Sequence, residues 1–279
     1  MAERQAYMKT PDFHSQGGSK PYTMNAGRRI APLVAEALAE RMVPALRASG
    51  TSQRLLDVAC GPGTFSLRLA QDLPDVTVVG VDASAEMIRQ AEARAAEARL
   101  ERRVTFAPMD VHHLAFETAS LDAASCNLGF HFFAHPIEAL EEIGRVLKPG
   151  AYFCASVPDG QSWHEVFEVV REVVPAADQL LRSFTAKLEQ GARLLPALEQ
   201  AGFTTTQAEY ITLPFAFASG RDAITFFNDL FSLFTTLPAA SEERLSMALD
   251  ERFPRGVMTS YVALLACARW DSGASVPAP

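Results

Sequence analysis

The sequence predicts an α/β fold in which a mostly parallel sheet is covered by helices on both faces. Three observations carry that expectation. Short apolar or alternating runs recur at 54–59, 77–81, 104–108, 121–127 and 151–157, and helical apolar spacing fills the gaps at 64–72, 85–100 and 137–146. Strands separated by helices pair in parallel, because the crossover needs the helix and the helix needs a sheet face to bury against. Leu55-Leu56 leads through Asp57-Val58-Ala59-Cys60-Gly61-Pro62-Gly63-Thr64 into an amphipathic stretch, a strand feeding a tight turn and then a helix. At 279 residues, 48% of them hydrophobic, the chain is long enough for one large domain, or a domain with a cap.

Taken in order, residues 26–46 read as one or two helices punctuated by Pro32 and Pro44. The five strands and three helices above follow. Lys148-Pro149-Gly150 stops the last helix of the series, with a proline that cannot continue it and a glycine for the turn. Beyond residue 157 the pattern turns helical. Segment 163–174 carries Val166, Phe167, Val169, Val170 and Val173 at helical spacing, then come 177–188 and 192–201, the latter ended by Gly202. A strand at 204–217, a phenylalanine-rich helix at 222–237, a helix at 241–252 and a last strand at 257–269 complete the pattern. The expected organisation is an N-terminal helical segment (1–50), a core (51–158), a helical cap with the last-but-one strand (159–252), a final strand completing the sheet (253–270) and a flexible tail (271–279).

Composition excludes several classes. A formal net charge of -8 disfavours a nucleic-acid surface, which needs a basic patch. No stretch has the length of a transmembrane helix, and the polar first twenty residues lack an apolar signal core, so a cytoplasmic protein is expected. Cys60, Cys126, Cys154 and Cys267 show no Cys-x-x-Cys spacing and read as buried free thiols of a reducing compartment. No His, Asp or Cys cluster has metal-ligand spacing, so no metal is expected.

The chemistry gathers at the carboxyl ends of four successive strands, where an open α/β sheet binds its ligand. The loop 57–64 follows the first strand, and small residues at 59, 61 and 63 let a ligand approach the backbone. A dinucleotide site wants a third glycine where Ser66 stands, and Asp57 suits a ligand bearing positive charge better than a pyrophosphate. Asp82 ends the second strand, 25 residues beyond Asp57, where a carboxylate can accept from both ribose hydroxyls. Met109-Asp110 follows the third, where an acid can accept from an adenine amino group. Asn127-Leu128-Gly129-Phe130-His131 follows the fourth, facing the reacting end of the ligand. Each element alone has a plain structural reading, as a turn or the cap of the next helix; the joint order and spacing decide.

From residue 55 to 157 the chain resembles the class I S-adenosylmethionine-dependent methyltransferases, in the branch holding ubiquinone/menaquinone and small-molecule methyltransferases. The resemblance rests on Leu56-Asp57-Val58-Ala59-Cys60-Gly61-Pro62-Gly63, Val79-Gly80-Val81-Asp82, Met109-Asp110 and the run from Ala139 through Lys148-Pro149-Gly150. Ala59 stands where the family often has its first glycine, and Ala151 where a second glycine commonly follows Gly150. The resemblance implies a Rossmann-like, seven-stranded, mostly parallel sheet with a helical cap and an antiparallel last strand. It implies S-adenosyl-L-methionine as cofactor, with Asp57, Ala59, Gly61 and Gly63 at its methionine moiety and Asp82 at the ribose. Ala83 and Met87 would flank the adenine, Asp110 would contact its amino group, Met109 before it would also be a cofactor contact, and Asn127 and Leu128 would lie beside the donor methyl. Tyr22 is a candidate contact from an N-terminal helix closing over the cofactor, or simply packs that helix on the sheet.

His131 is the leading candidate for a general base and acceptor contact, with an ordinary histidine ionisation near about 6.5, or else an aromatic filler in Phe130-His131-Phe132-Phe133. His135 is the runner-up, and His112-His113 reads as surface. Phe227 and Phe231 stand for a phenylalanine surplus that suggests an apolar acceptor pocket, where a core role would account for about half of the rings. The expected function is methylation of a small hydrophobic acceptor of secondary metabolism, at oxygen, by a protein with room for a homodimer and no nucleic-acid or membrane partner. The rivals are C-methylation of a quinone, prenyl or polyketide carbon, and a methyltransferase-fold cyclase or binding protein that transfers no methyl group. A nicotinamide-dependent dehydrogenase is disfavoured by Ser66 and Asp57.

Overall fold

The structure, a computed structural model, describes residues 26–48, 53–189 and 193–271. Seven strands form one sheet: β1 (Gln53–Val58), β2 (Val76–Asp82), β3 (Val104–Pro108), β4 (Leu121–Asn127), β5 (Leu147–Pro158), β6 (Phe203–Phe217) and β7 (Val257–Trp270). Their order across the sheet is β3-β2-β1-β4-β5-β7-β6. β1 pairs in parallel with β2 and β4, β2 with β3, and β4 with β5. β7 slots in antiparallel between β5 and β6, as expected. Among the described residues the helices are α1 (Ala31–Ala48, entered through a wide turn at Ala26–Ile30), α2 (Thr64–Asp72), α3 (Ala85–Glu97), α4 (Pro136–Val146), α5 (His164–Val173), α6 (Asp178–Leu188), α7 (Leu194–Gln200), α8 (Gly220–Phe231) and α9 (Ala239–Arg252).

Period-two alternation sorts the strand residues between two apolar clusters. Leu55, Val78, Ala123 and Leu265 join α1, α2, α5, α6, α8 and α9 on one face. Leu56, Val81, Ala124 and Leu264 join α4 and α7 on the other. A strand covered on both sides has no solvent face, which is why burial runs nearly unbroken along β1 and β4 and includes polar residues such as Asp57 and Ser125. Of the helices after β5, α5, α6, α8 and α9 share their cluster with α1 and α2, continuous with the cover of the sheet. α5 is fastened to β7 through the Glu165 carboxylate, which accepts from Thr259 Oγ1 (2.6 Å), Ser260 Oγ (2.7 Å) and Ser260 N–H (3.1 Å).

Three local expectations are corrected. Pro44 does not break the N-terminal helix: α1 runs through it to Ala48. Pro44 faces solvent while Met42, Val43 and Leu46 are buried, so packing of the apolar face offsets one lost backbone hydrogen bond. Lys148-Pro149-Gly150 lies inside β5, where the register with β4 jumps from Leu121↔Leu147 to Ala123↔Tyr152, and Gly150 adopts a φ of 75°. The turn signal is real but makes a bulge. Finally, the four cysteines are not all free. Cys154 and Cys267 face each other across β5 and β7, Cα atoms 4.1 Å apart, and are joined as a disulfide. Cys60 and Cys126 remain as buried thiols. A pairing across 113 residues depends on antiparallel register, which spacing along the chain does not reveal.

Candidate functional site: a cleft at the carboxyl ends of β1 to β4

β1 ends at Val58 and the chain turns sharply before α2 begins at Thr64. Ala59 (φ 51°), Gly61 (φ 53°) and Gly63 (φ 76°) take left-handed backbone conformations in this turn. A Cβ on Gly63 would stand 2.7 Å from Phe106 Cζ, so this position takes neither another residue's backbone preference nor its bulk. The methyl of Ala59 requires a small neighbour: a Cβ on Gly129 would stand 2.6 Å from that of Ala59. Cys60 N–H donates to Val81 O (3.0 Å) and Gly61 N–H to Asp82 Oδ2 (2.9 Å), tying the turn to the end of β2. Asp82 Oδ1 accepts from Ser84 N–H (2.8 Å), and Ser84 Oγ caps α3 by accepting from Met87 N–H (3.4 Å).

These ends border a cleft of about 750 Å³. Of the residues expected at a ligand, Ala59, Gly61, Asp82, Ala83, Met87, Met109, Asp110, Leu128 and His131 line it. Gly63 and Asn127 stand behind the wall. Asn127 Oδ1 accepts from Ser156 Oγ (2.7 Å), and its Nδ2 donates to Ala31 O at the start of α1 (3.3 Å). Tyr22 lies outside the described residues.

Asp57 is not on the cleft surface. It is 1% exposed, and its carboxylate accepts from Ser66 Oγ (2.6 Å) and Ser125 Oγ (2.8 Å), so the placement against a ligand ammonium is corrected to a brace beneath the turn. Burial raises its pKa to about 6, against the lowering influence of the two serines. Ser66, expected only as a missing glycine, thus has a positive role, and Ser125 was not singled out by the sequence.

Phe227 and Phe231 are likewise corrected. Phe227 is fully buried, and both rings pack around the buried Trp163, at 5.3 and 5.8 Å between centroids, in a cluster with Phe167 and Phe184. Neither lines the cleft. Helical spacing marks a buried face equally well whether it meets a core or a cavity.

His131 follows β4 in a short helical turn, Phe130–Phe132, with its ring 3.9 Å from that of Phe132. Its Nδ1 is enclosed without a hydrogen-bond partner, and burial lowers its pKa to about 4. The expected ionisation near neutrality is therefore corrected: the imidazole is uncharged throughout the physiological range. His112, expected at the surface, lines the cleft and bonds to Asp110. His113, His135, Phe132, Phe133 and Glu138 complete that side. Among the described residues no His, Cys, Asp and Glu side chains gather into a metal-binding group, and no helix is long and apolar enough to cross a membrane.

Residues 55–150 match a family model described as "Methyltransferase domain". Those residues thus form a methyltransferase domain. Among relatives, the chain is 29% identical over 225 residues to an uncharacterized 37.1 kDa protein in transposon TN4556 of Streptomyces fradiae, covering 77% of this chain and 55% of that one. It is 39% identical over 98 residues to a demethylmenaquinone methyltransferase of Deinococcus radiodurans (35% of this chain, 40% of the relative). It is 25% identical over 210 residues to a malonyl-[acyl-carrier protein] O-methyltransferase of a Paenibacillus species, at 75% of each chain. The match thus spans only about half of the first two relatives. In fold, the methyltransferase core and its added helices resemble the [4+2]-cyclase SpnF, with a TM-score of 0.53 at 23% identity, covering 87% of this chain and 81% of that one.

Proposed function

We propose that this protein binds S-adenosylmethionine in the cleft and transfers its methyl group to a small, largely apolar acceptor, at oxygen in preference to carbon. The observation that carries the reading is the cleft itself. It places a backbone turn of small residues, two carboxylates and two methionines at the ends of four consecutive parallel strands. The residues present fit the cofactor. Asp82 accepts from the backbone N–H groups of Gly61 and Ser84, which hold its carboxylate at the cleft wall, and a carboxylate there suits the vicinal hydroxyls of a ribose. Met87 and Met109 offer soft apolar contacts for a purine, and Asp110 an acceptor for its amino group. Asp57 keeps a buried carboxylate beneath the turn, where its negative potential favours a cationic ligand.

Bound there, the cofactor supplies an electrophilic methyl group. The chain's own work is alignment and exclusion of water by Leu128, Phe132 and Phe133. His131 is read as a neutral hydrogen-bond donor that orients the acceptor. With no acceptor near its enclosed Nδ1, the favoured tautomer carries the proton on Nε2, because a buried lone pair without a partner costs less than a buried N–H without one. A donor of this kind suits an acceptor oxygen already acidic enough to react without a base, such as a phenol or a carboxylic acid. A second reading, methylation at carbon, is favoured by a relative of Geobacter named as a ubiquinone/menaquinone biosynthesis C-methyltransferase, 35% identical over 98 residues.

The test is to incubate the protein with S-adenosylmethionine and a panel of phenols, carboxylic acids, quinones and polyketides, and to follow S-adenosylhomocysteine and acceptor mass. Acceptor-dependent formation of both products, with the added methyl mapped to oxygen, is expected. Cofactor binding without turnover across the panel would favour a protein that uses the fold without methyl transfer.

A further inference from the structure

Asp110 follows β3 as an exposed side chain, 61% accessible, yet its carboxylate is not free to turn. Oδ1 accepts from the backbone N–H of His112 at 3.0 Å and from His112 Nδ1 at 2.6 Å. Oδ2 accepts no hydrogen bond from any described residue. The His112 ring that does the holding is itself held: its side chain is only 16% exposed, it packs edge-on to His135 with centroids 5.9 Å apart, and its Nε2 is enclosed without a partner. The ionised carboxylate fixes the tautomer, since Oδ1 can only accept and Nδ1 must therefore carry the proton.

We infer that His112 is a positioning residue for purine recognition, locking the Asp110 carboxylate so that Oδ2 is presented to an exocyclic amino group in the cleft. The inference rests on the cofactor reading above. Asp110, His112, Met87 and Met109 share the same wall of the cleft. An unbraced surface aspartate would have to give up rotamer freedom on binding, whereas the His112 bonds remove that cost in advance. The same geometry selects. A 6-amino purine donates to Oδ2, but a 6-oxo purine turns an oxygen towards it and meets repulsion with no hydrogen bond.

The experiment is calorimetric titration of the full chain, wild type, His112→Ala and His112→Asn, with S-adenosylhomocysteine and its 6-oxo analogue S-inosylhomocysteine. Wild type is expected to prefer the amino compound. His112→Ala should weaken S-adenosylhomocysteine by about five- to tenfold and the oxo analogue by less than about twofold. His112→Asn, whose side-chain N–H reaches the same oxygen, should restore the preference. Unchanged S-adenosylhomocysteine affinity in His112→Ala, or equal losses for both ligands, would overturn the inference and leave the cofactor reading standing. Wild type that binds neither ligand would remove both.

Discussion

At the scale of single residues, two buried groups titrate in opposite directions beneath and beside the cleft. Asp57 is raised to about 6, and its unfolded value is near about 3.9. Between those values the native state holds more protons, so its contribution to stability is full below about pH 4 and lost as pH rises through about 6. His131 is lowered to about 4 from an unfolded value near about 6.5. Its contribution is full above about pH 6.5 and lost as pH falls through about 4. Urea midpoints measured across this window should therefore fall with rising pH in His131→Phe, rise with it in Asp57→Asn, and change least in wild type. A wild-type profile as steep as that of either variant would refute the paired assignment. Nitrogen NMR of the imidazole should show the Nε2–H tautomer of His131 at pH 7, and the opposite tautomer would return it to the role of a base. The turn offers a second test. Gly129→Ala should destabilise, since its Cβ would meet Ala59 Cβ at 2.6 Å and Cys126 Sγ at 2.9 Å. Adding Ala59→Gly should recover part of the loss, because it removes the first contact and leaves the second; strict additivity of the two changes would show that the positions are uncoupled.

At the scale of elements, the helices after β5 carry an aromatic core more than a pocket wall. Phe227→Ala should cost about 3–5 kcal/mol of stability, as expected for a large ring removed from a packed site, and leave S-adenosylhomocysteine affinity unchanged. Weaker binding of S-adenosylhomocysteine with an unaltered melting point would place that ring against the cofactor and contradict its assignment to the core. The same helices show what local sequence signals carry. Strand and helix positions were legible because apolar period and turn residues are local, and β3 and β4 lie at the expected residues. The strand-end residues of the cleft were legible for the same reason. The brace on Asp57 was not, because Ser125 lies 68 residues away and reaches it only through the β1–β4 pairing. The Cys154–Cys267 bond was hidden likewise by register between distant strands. His112 is different: an Asp followed two residues later by a His is a local pattern, and the hydrogen bonds of Asp110 could have been anticipated from it.

At the scale of the whole molecule, the strand order explains where the cleft lies. β1 has β2 on one side and β4 on the other, so the chain leaves the centre of the sheet in both directions and opens a crevice at the carboxyl ends there. Loops after β1, β2, β3 and β4 all reach it, and β5, β7 and β6 extend the sheet away from it. The central claim is that this crevice holds S-adenosylmethionine with Asp82 at its ribose. The most direct measurement is calorimetric titration of wild type and Asp82→Ala with S-adenosylhomocysteine, with thermal unfolding as the control for the fold. Loss of two charge-assisted hydrogen bonds should weaken binding on the order of ten- to hundredfold while the protein stays folded. Equal affinity in a folded Asp82→Ala variant would contradict the assignment of the cleft.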